Sequence, residues 1–121
     1  MSRAIGAKHE ERACEFLSEK GWKLLAKNFT CRGGELDLVF YDPQKTVVFV
    51  EVKYRASNDY GAAQSMVTFT KQRHLSRAAM FFIQQHRLHQ QSFRFDVIAV
   101  SPSEIDHIQN AFSIPQTEYT L

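Results

Sequence analysis

Asp37, Glu51 and Lys53 are charged residues set in or beside two runs that are otherwise apolar, Gly34-Glu35-Leu36-Asp37-Leu38-Val39-Phe40 and Val47-Val48-Phe49-Val50-Glu51-Val52-Lys53. Charge in an apolar setting is costly unless it meets a partner or a ligand. Two carboxylates and a lysine in this order suit metal-dependent phosphodiester hydrolysis. Hard cations take oxygen ligands, and Mg²⁺ commonly uses one or two carboxylates together with water and phosphate. Asp37 and Glu51 are therefore candidate ligands for Mg²⁺ or Mn²⁺, and the backbone carbonyl of Val52 offers a further oxygen. Lys53 would polarise the attacking water or meet the scissile phosphate. The alternative is a structural salt bridge of Lys53 with Glu51 or Asp37. Three charges at alternate positions of a buried hairpin are far less common than one such pair.

Both runs read as strands, being rich in β-branched and aromatic residues. The second, apolar almost throughout, is expected to be buried on both faces. Alternation puts Glu51 and Lys53 on one face, roughly 6.5–7 Å apart, and puts Glu35 on the face of Asp37. Asp42-Pro43-Gln44-Lys45 is a turn composition, so the strands over 35–41 and 46–54 are expected to pair as an antiparallel hairpin. Such pairing brings Asp37 beside Glu51 and Lys53.

The remaining elements frame this hairpin. Residues 3–20 read as a helix stopped by Gly21. Ala13, Cys14 and Leu17 form its apolar stripe, and Glu10 falls within that stripe while Glu11 points elsewhere. Metal, water or Lys53 could partner an inward Glu10; snorkelling to solvent from the helix end is the alternative. A first strand is expected over 22–30. The polar stretch 55–69 is long for a loop, and such loops are often functional. A second helix over 70–89, with Thr68 or Thr70 as N-cap, turns Leu75, Ala78, Ala79, Phe82 and Ile83 to the core. Gln72 shares that face, where a buried amide must be hydrogen-bonded; a plain helix-end hydrogen bond would also satisfy it. Residues 93–100 form another strand, 104–112 a short edge strand, and the chain is expected to fray from Pro115. The order α-β-β-β-α-β predicts an α/β fold, with a central mixed sheet and a helix on each side.

A length of 121 residues suits one domain spanning 1–121. No apolar run reaches the length of a membrane span, and Met1-Ser2-Arg3-Ala4-Ile5-Gly6 lacks the apolar core of a signal peptide, so cytoplasmic residence is the default. Cys14 and Cys31 have no CxxC spacing and read as reduced thiols. The net charge of +2 is small, yet Lys53, Arg55, Lys71, Arg73, His74 and Arg77 fall on either side of one loop. Clusters of this kind bind phosphate, which makes Arg55, Lys71, Arg73 and Arg77 candidate nucleic-acid contacts; the bland alternative is a solvated helix face.

At Asp37 and Glu51-Val52-Lys53 the chain resembles the PD-(D/E)XK nuclease superfamily. More closely it resembles the YraN family of small bacterial proteins, which are similar to archaeal Holliday-junction resolvases. That resemblance runs through Gly6, Glu10, Ala13 and Leu17, Gly21-Trp22, Asn28, Gly34-Glu35-Leu36-Asp37-Leu38, Phe49-Val50-Glu51-Val52-Lys53, Lys71-Gln72-Arg73, Phe95-Asp96-Val97 and Asn110-Ala111-Phe112. Leu36 stands where the superfamily name has proline, as YraN proteins do, and Phe69 stands where they often carry proline at a helix start. The resemblance implies a three-layer α/β/α restriction-endonuclease-like fold. It also implies that Glu10 joins Asp37 and Glu51 at the metal and that Gln72 lies beside the carboxylates, orienting Lys53 or the nucleophile.

The leading expectation is a Mg²⁺- or Mn²⁺-dependent endonuclease cutting DNA, including branched, Holliday-junction-like DNA. Resolvase-like action would imply a homodimer presenting two sites. The other expectation is a non-catalytic nucleic-acid-binding or scaffolding domain that keeps the nuclease fold.

Overall fold

A computed structural model describes residues 3–55 and 67–113. Most of the expected 55–69 loop and the tail from Pro115 lie outside these residues.

Helix α1 (Arg3–Glu19) ends where Gly21 takes φ +86° and the Trp22 N–H returns to the Leu17 carbonyl at 3.1 Å. That left-handed glycine turns the chain into β1 (Lys23–Cys31). A two-residue turn at Arg32-Gly33, with Gly33 at φ +96°, leads to β2 (Gly34–Tyr41). Asp42 shapes the next turn, accepting from the Gln44 and Thr46 N–H groups at 2.9 Å each, and β3 (Val47–Tyr54) follows. Helix α2 (Phe69–Gln85) opens on the Thr68 N-cap, whose hydroxyl accepts from the Lys71 N–H at 3.2 Å. Strands β4 (Phe93–Val100) and β5 (Ile105–Phe112) complete the described elements, the latter a full eight-residue edge strand.

The strands lie in the order β1-β2-β3-β4-β5. Neighbours run antiparallel except β3 and β4, which are parallel and joined through α2, so the sheet is mixed, as expected. Alternation along the central strands feeds two cores. Val47 and Phe49 join Phe95, Val97 and Ala99 beneath Leu75, Ala78, Ala79, Phe82 and Ile83 of α2. Val48, Val50, Ile98 and Val100 pack with Ala13 and Leu17 of α1. The helices therefore cover opposite faces, giving three layers.

Two local features bear on the hairpin. Leu36 belongs to the α2 core and Leu38 to the α1 core, although residues two apart in a regular strand share a face. Alternation breaks at Asp37, and Asn28, opposite it on β1, has φ +51°. At the start of β2, a Cβ on Gly34 would fall on the His74 carbonyl oxygen, so β2 touches α2 backbone to backbone.

A buried polar knot holds the far edge. Asp96, 0% exposed, accepts from Arg94 Nε at 3.0 Å and the Asn110 N–H at 2.9 Å, and lies 2.8 Å from His107 Nε2. Arg94 also donates to Asp42 at 2.8 Å and covers the Trp22 ring. Asp96 thus ties β4 to β5, and Arg94 ties β4 to the β2–β3 turn. Cys14 and Cys31 are free thiols, as expected.

Candidate active site

Paired residues of β2 and β3 run from Tyr41 opposite Val47 to Leu38 opposite Val50, and end there. Beyond that point β3 continues alongside β4 to Tyr54, and the two hairpin strands part. Asp37 sits in the fork. Its Oδ2 accepts a hydrogen bond from the Val52 N–H at 2.9 Å, so a side chain replaces the lost backbone partner.

A cleft of about 220 Å³ opens at this fork. Asp37, Glu51, Val52 and Lys53 line its floor, Glu10 enters from α1, and Lys71 enters from α2. The carboxylates and Lys53 are thus brought together as the hairpin pairing requires, and Glu10 joins them from the helix face on which the pattern placed it.

Glu51 carries the strongest electrostatic signature. It is 4% exposed, and its pKa is pushed up to about 8, foremost by burial and then by the Asp37 carboxylate beside it, against the pull of Lys71 and Lys53. Lys53 Nζ stands 3.8 Å from Glu51 Oε2 and Lys71 Nζ stands 3.4 Å from the same oxygen. Both exceed the roughly 2.7–2.9 Å of a charge-assisted hydrogen bond. Among the described residues Oε2 has no hydrogen-bond partner. The two lysine contacts are the loose ion pairs that the salt-bridge alternative calls for, Lys53 with Glu51, joined by Lys71. A buried carboxylate oxygen left short of donors leaves room for a further ligand such as a cation. Glu10 is also raised, by burial first and by Asp37 next, while a hydrogen bond from Asn28 lowers it.

Among the described residues, no three His, Cys, Asp or Glu side chains are gathered closely enough to enclose a metal ion by themselves. The donors fit Mg²⁺ or Mn²⁺ in a more open manner. Asp37 and Glu51 supply hard oxygens, the Val52 backbone lies alongside, and the cleft has room for water.

Other expected site residues are placed differently. Gln72 does not line the cleft; its amide donates to the Val67 carbonyl at 3.1 Å, which is the helix-end bond weighed against the resemblance. Arg55, expected among the phosphate contacts, is only 9% exposed at its side chain and donates to Asp106 Oδ2 on β5 at 2.9 Å. It ties the end of β3 to the edge strand, because the β4–β5 pair brings Asp106 within reach of position 55. Lys71, expected on a diffuse basic face, faces Glu51. Arg73 and Arg77, with Thr70 and His74, line a separate pocket of about 90 Å³ on α2. Glu35 is exposed and does not line the cleft.

His9 and Tyr54 were not singled out by the sequence. Both line the cleft, with their rings stacked 4.3 Å apart, and neither His9 ring nitrogen has a hydrogen-bond partner among the described residues. The available signal was spacing: His9 adjoins Glu10 and Tyr54 adjoins Lys53.

A family model described as "Uncharacterised protein family UPF0102" matches residues 9–100, which hold Glu10 and the whole hairpin. The chain belongs to this family. UPF0102 is the YraN family, so the resemblance drawn from the motifs holds. A UPF0102 protein of Pelobacter propionicus is 43% identical over 119 residues, covering 93% of this chain and 85% of the relative. A UPF0102 protein of Trichlorobacter lovleyi is 43% identical over 118 residues and covers 93% of each. One from Geobacter metallireducens is 44% identical over 117 residues, covering 93% of this chain and 95% of the relative.

Proposed function

We propose that this UPF0102 protein is a divalent-metal-dependent endonuclease that hydrolyses DNA phosphodiester bonds, branched DNA among its candidate substrates; resolvase-like action on such DNA would require a homodimer. One observation carries the reading: Glu51 Oε2 is buried without a hydrogen bond, beside Asp37 and between two lysines, at the floor of an open cleft.

Asp37, Glu51, Glu10 and the Val52 carbonyl would hold Mg²⁺ or Mn²⁺. When bound, the cation would supply charge neutralisation at the phosphate and a lowered pKa for water. Hydrolysis requires a water oxygen to bond to phosphorus while the bond to the leaving sugar oxygen breaks. A proton must leave the water and another must reach the departing alkoxide. Lys53, 30% exposed at its side chain and facing the cleft, meets the phosphate and offsets the charge that develops there. Asp37 holds Val52 in place through its N–H, and so fixes the strand between Glu51 and Lys53. Arg73 and Arg77 bind phosphates away from the chemistry.

A second reading, a nucleic-acid-binding or scaffolding domain without catalysis, draws on the lack of a three-residue ligand cluster among the described residues. A cleavage panel separates the two. Single-stranded, duplex, flap and four-way DNA are incubated with Mg²⁺ or Mn²⁺, with Lys53→Ala as control. Metal-dependent cutting lost in Lys53→Ala supports the nuclease; binding without cutting on every substrate supports the second reading.

A further inference from the structure

We propose that Lys71 is the resident counter-ion of Glu51, displaced when a divalent cation enters the cleft and thereby delivered to the DNA phosphate. The inference rests on the nuclease reading and adds to it a lysine whose partner depends on metal.

Lys71 comes nearer to Glu51 Oε2 than Lys53 does, at 3.4 Å against 3.8 Å. Both ammonium groups approach one oxygen, and that oxygen still has no hydrogen bond among the described residues. Neither cation is locked to it. Lys71 belongs to the first turn of α2, and its backbone N–H is anchored by the Thr68 hydroxyl at 3.2 Å. Its side chain is 36% exposed and lines the cleft. A fixed backbone with a flexible four-carbon stem lets the ammonium exchange partners without moving the helix.

Formal charge gives the exchange its direction. Once a ligated cation has driven their protons off, Glu10, Asp37 and Glu51 set three negative charges against two positive charges on Lys53 and Lys71. A divalent cation turns that balance of minus one into plus one, and one phosphodiester anion restores neutrality. A cation bound at Glu51 repels the ammonium 3.4 Å from the same oxygen. Lys71 is the more exposed of the two lysines, 36% against 30%, so the repelled ammonium swings outward, where an incoming phosphate would meet it.

Mn²⁺ affinity is measured by loss of the free-ion electron paramagnetic resonance signal for wild type, Lys71→Gln and Lys71→Arg. DNA affinity is measured against salt in a Lys53→Ala background, with and without Mn²⁺. Removing the competing charge raises Mn²⁺ affinity by about tenfold in Lys71→Gln, and Lys71→Arg stays near wild type. With Mn²⁺ the Lys71→Gln change lowers the DNA salt slope by about one, and without Mn²⁺ it leaves the slope unaltered. Unchanged or weaker Mn²⁺ affinity in Lys71→Gln overturns the exchange, as does an equal fall in slope with and without metal. A wild-type protein that binds no Mn²⁺ overturns the metal-site reading itself, a result distinct from both.

Discussion

Asp37 Oδ2 accepts a hydrogen bond from the Val52 backbone N–H at 2.9 Å, just beyond the last paired residues of β2 and β3, Leu38 and Val50. One carboxylate therefore stands in for a strand. It satisfies a partly buried backbone donor and holds β3 at the point from which Glu51 and Lys53 project. After burial, the same side chain is the next cause of the raised Glu51 pKa, through a hydrogen bond and through its charge. Structural and electrostatic roles can be separated by substitution.

Asp37→Asn keeps an acceptor for Val52 and removes a negative charge beside Glu51. It is expected to raise the melting temperature of the metal-free protein, shrink the stabilisation by Mg²⁺, and abolish cleavage. Asp37→Ala strands the Val52 N–H and costs about 1–3 kcal/mol without metal. Thermal melts of both variants in chelator and in Mg²⁺ check the contrast. An Asn variant less stable than wild type in chelator, with no gain for wild type from Mg²⁺, would return the cluster to a structural salt bridge.

Glu51 makes the metal-free protein sensitive to pH. Its folded pKa of about 8 exceeds the ordinary 4.5. Between those values the folded chain holds a proton that the unfolded chain has released, so stability falls as pH rises from about 4.5 to 8. At roughly 1.4 kcal/mol per pKa unit the loss amounts to a few kcal/mol at most. Glu51→Gln should flatten the slope in urea titrations across that range, and saturating Mg²⁺ should reduce it in wild type. A wild-type curve already flat in chelator refutes the buried, proton-holding Glu51.

Arg73→Ala with Arg77→Ala is expected to weaken DNA binding alike for all sequences and to lower the salt slope by about two. Both residues line the α2 pocket outside the cleft. Fluorescence anisotropy over a salt series measures it. An unaltered affinity and slope would make that pocket a solvated helix face.

Gly34→Ala should destabilise the fold, because a Cβ there falls on the His74 carbonyl of α2. Relief requires β2, which carries Asp37, to move away from α2, which carries Lys71. Cleavage should drop more than the folded fraction accounts for, as read from circular dichroism beside turnover. Wild-type activity and stability would show that the contact yields freely.

Asp96→Ala leaves the Asn110 N–H and part of the Arg94 guanidinium without their buried acceptor. A loss of about 3–5 kcal/mol is expected in urea unfolding. A loss under 1 kcal/mol would mean that the β4–β5 edge does not depend on this knot.

Much of this molecule was legible in the chain. Runs rich in β-branched and aromatic residues located the strands, and helical apolar stripes located both helices, since burial selects for each. Asp37, Glu51 and Lys53 stood out because charge inside apolar strands is costly, and Glu10 because it interrupts an apolar helix face. Local pattern could not tell which cation meets which anion. Lys71 and Arg55 look alike in a basic list, yet one faces Glu51 across the cleft and the other is taken up by Asp106 on an edge strand 51 positions later. Gln72 is half-buried, but its amide donates to the Val67 carbonyl rather than reaching the carboxylates. The break in alternation at Asp37, which opens the fork, was likewise invisible, because it depends on β1, β2 and β3 being assembled. The sequence by itself determined which groups must leave water and on which element each lies. Only the tertiary structure decided their partners, because pairing depends on distances of a few ångströms between elements far apart in the chain.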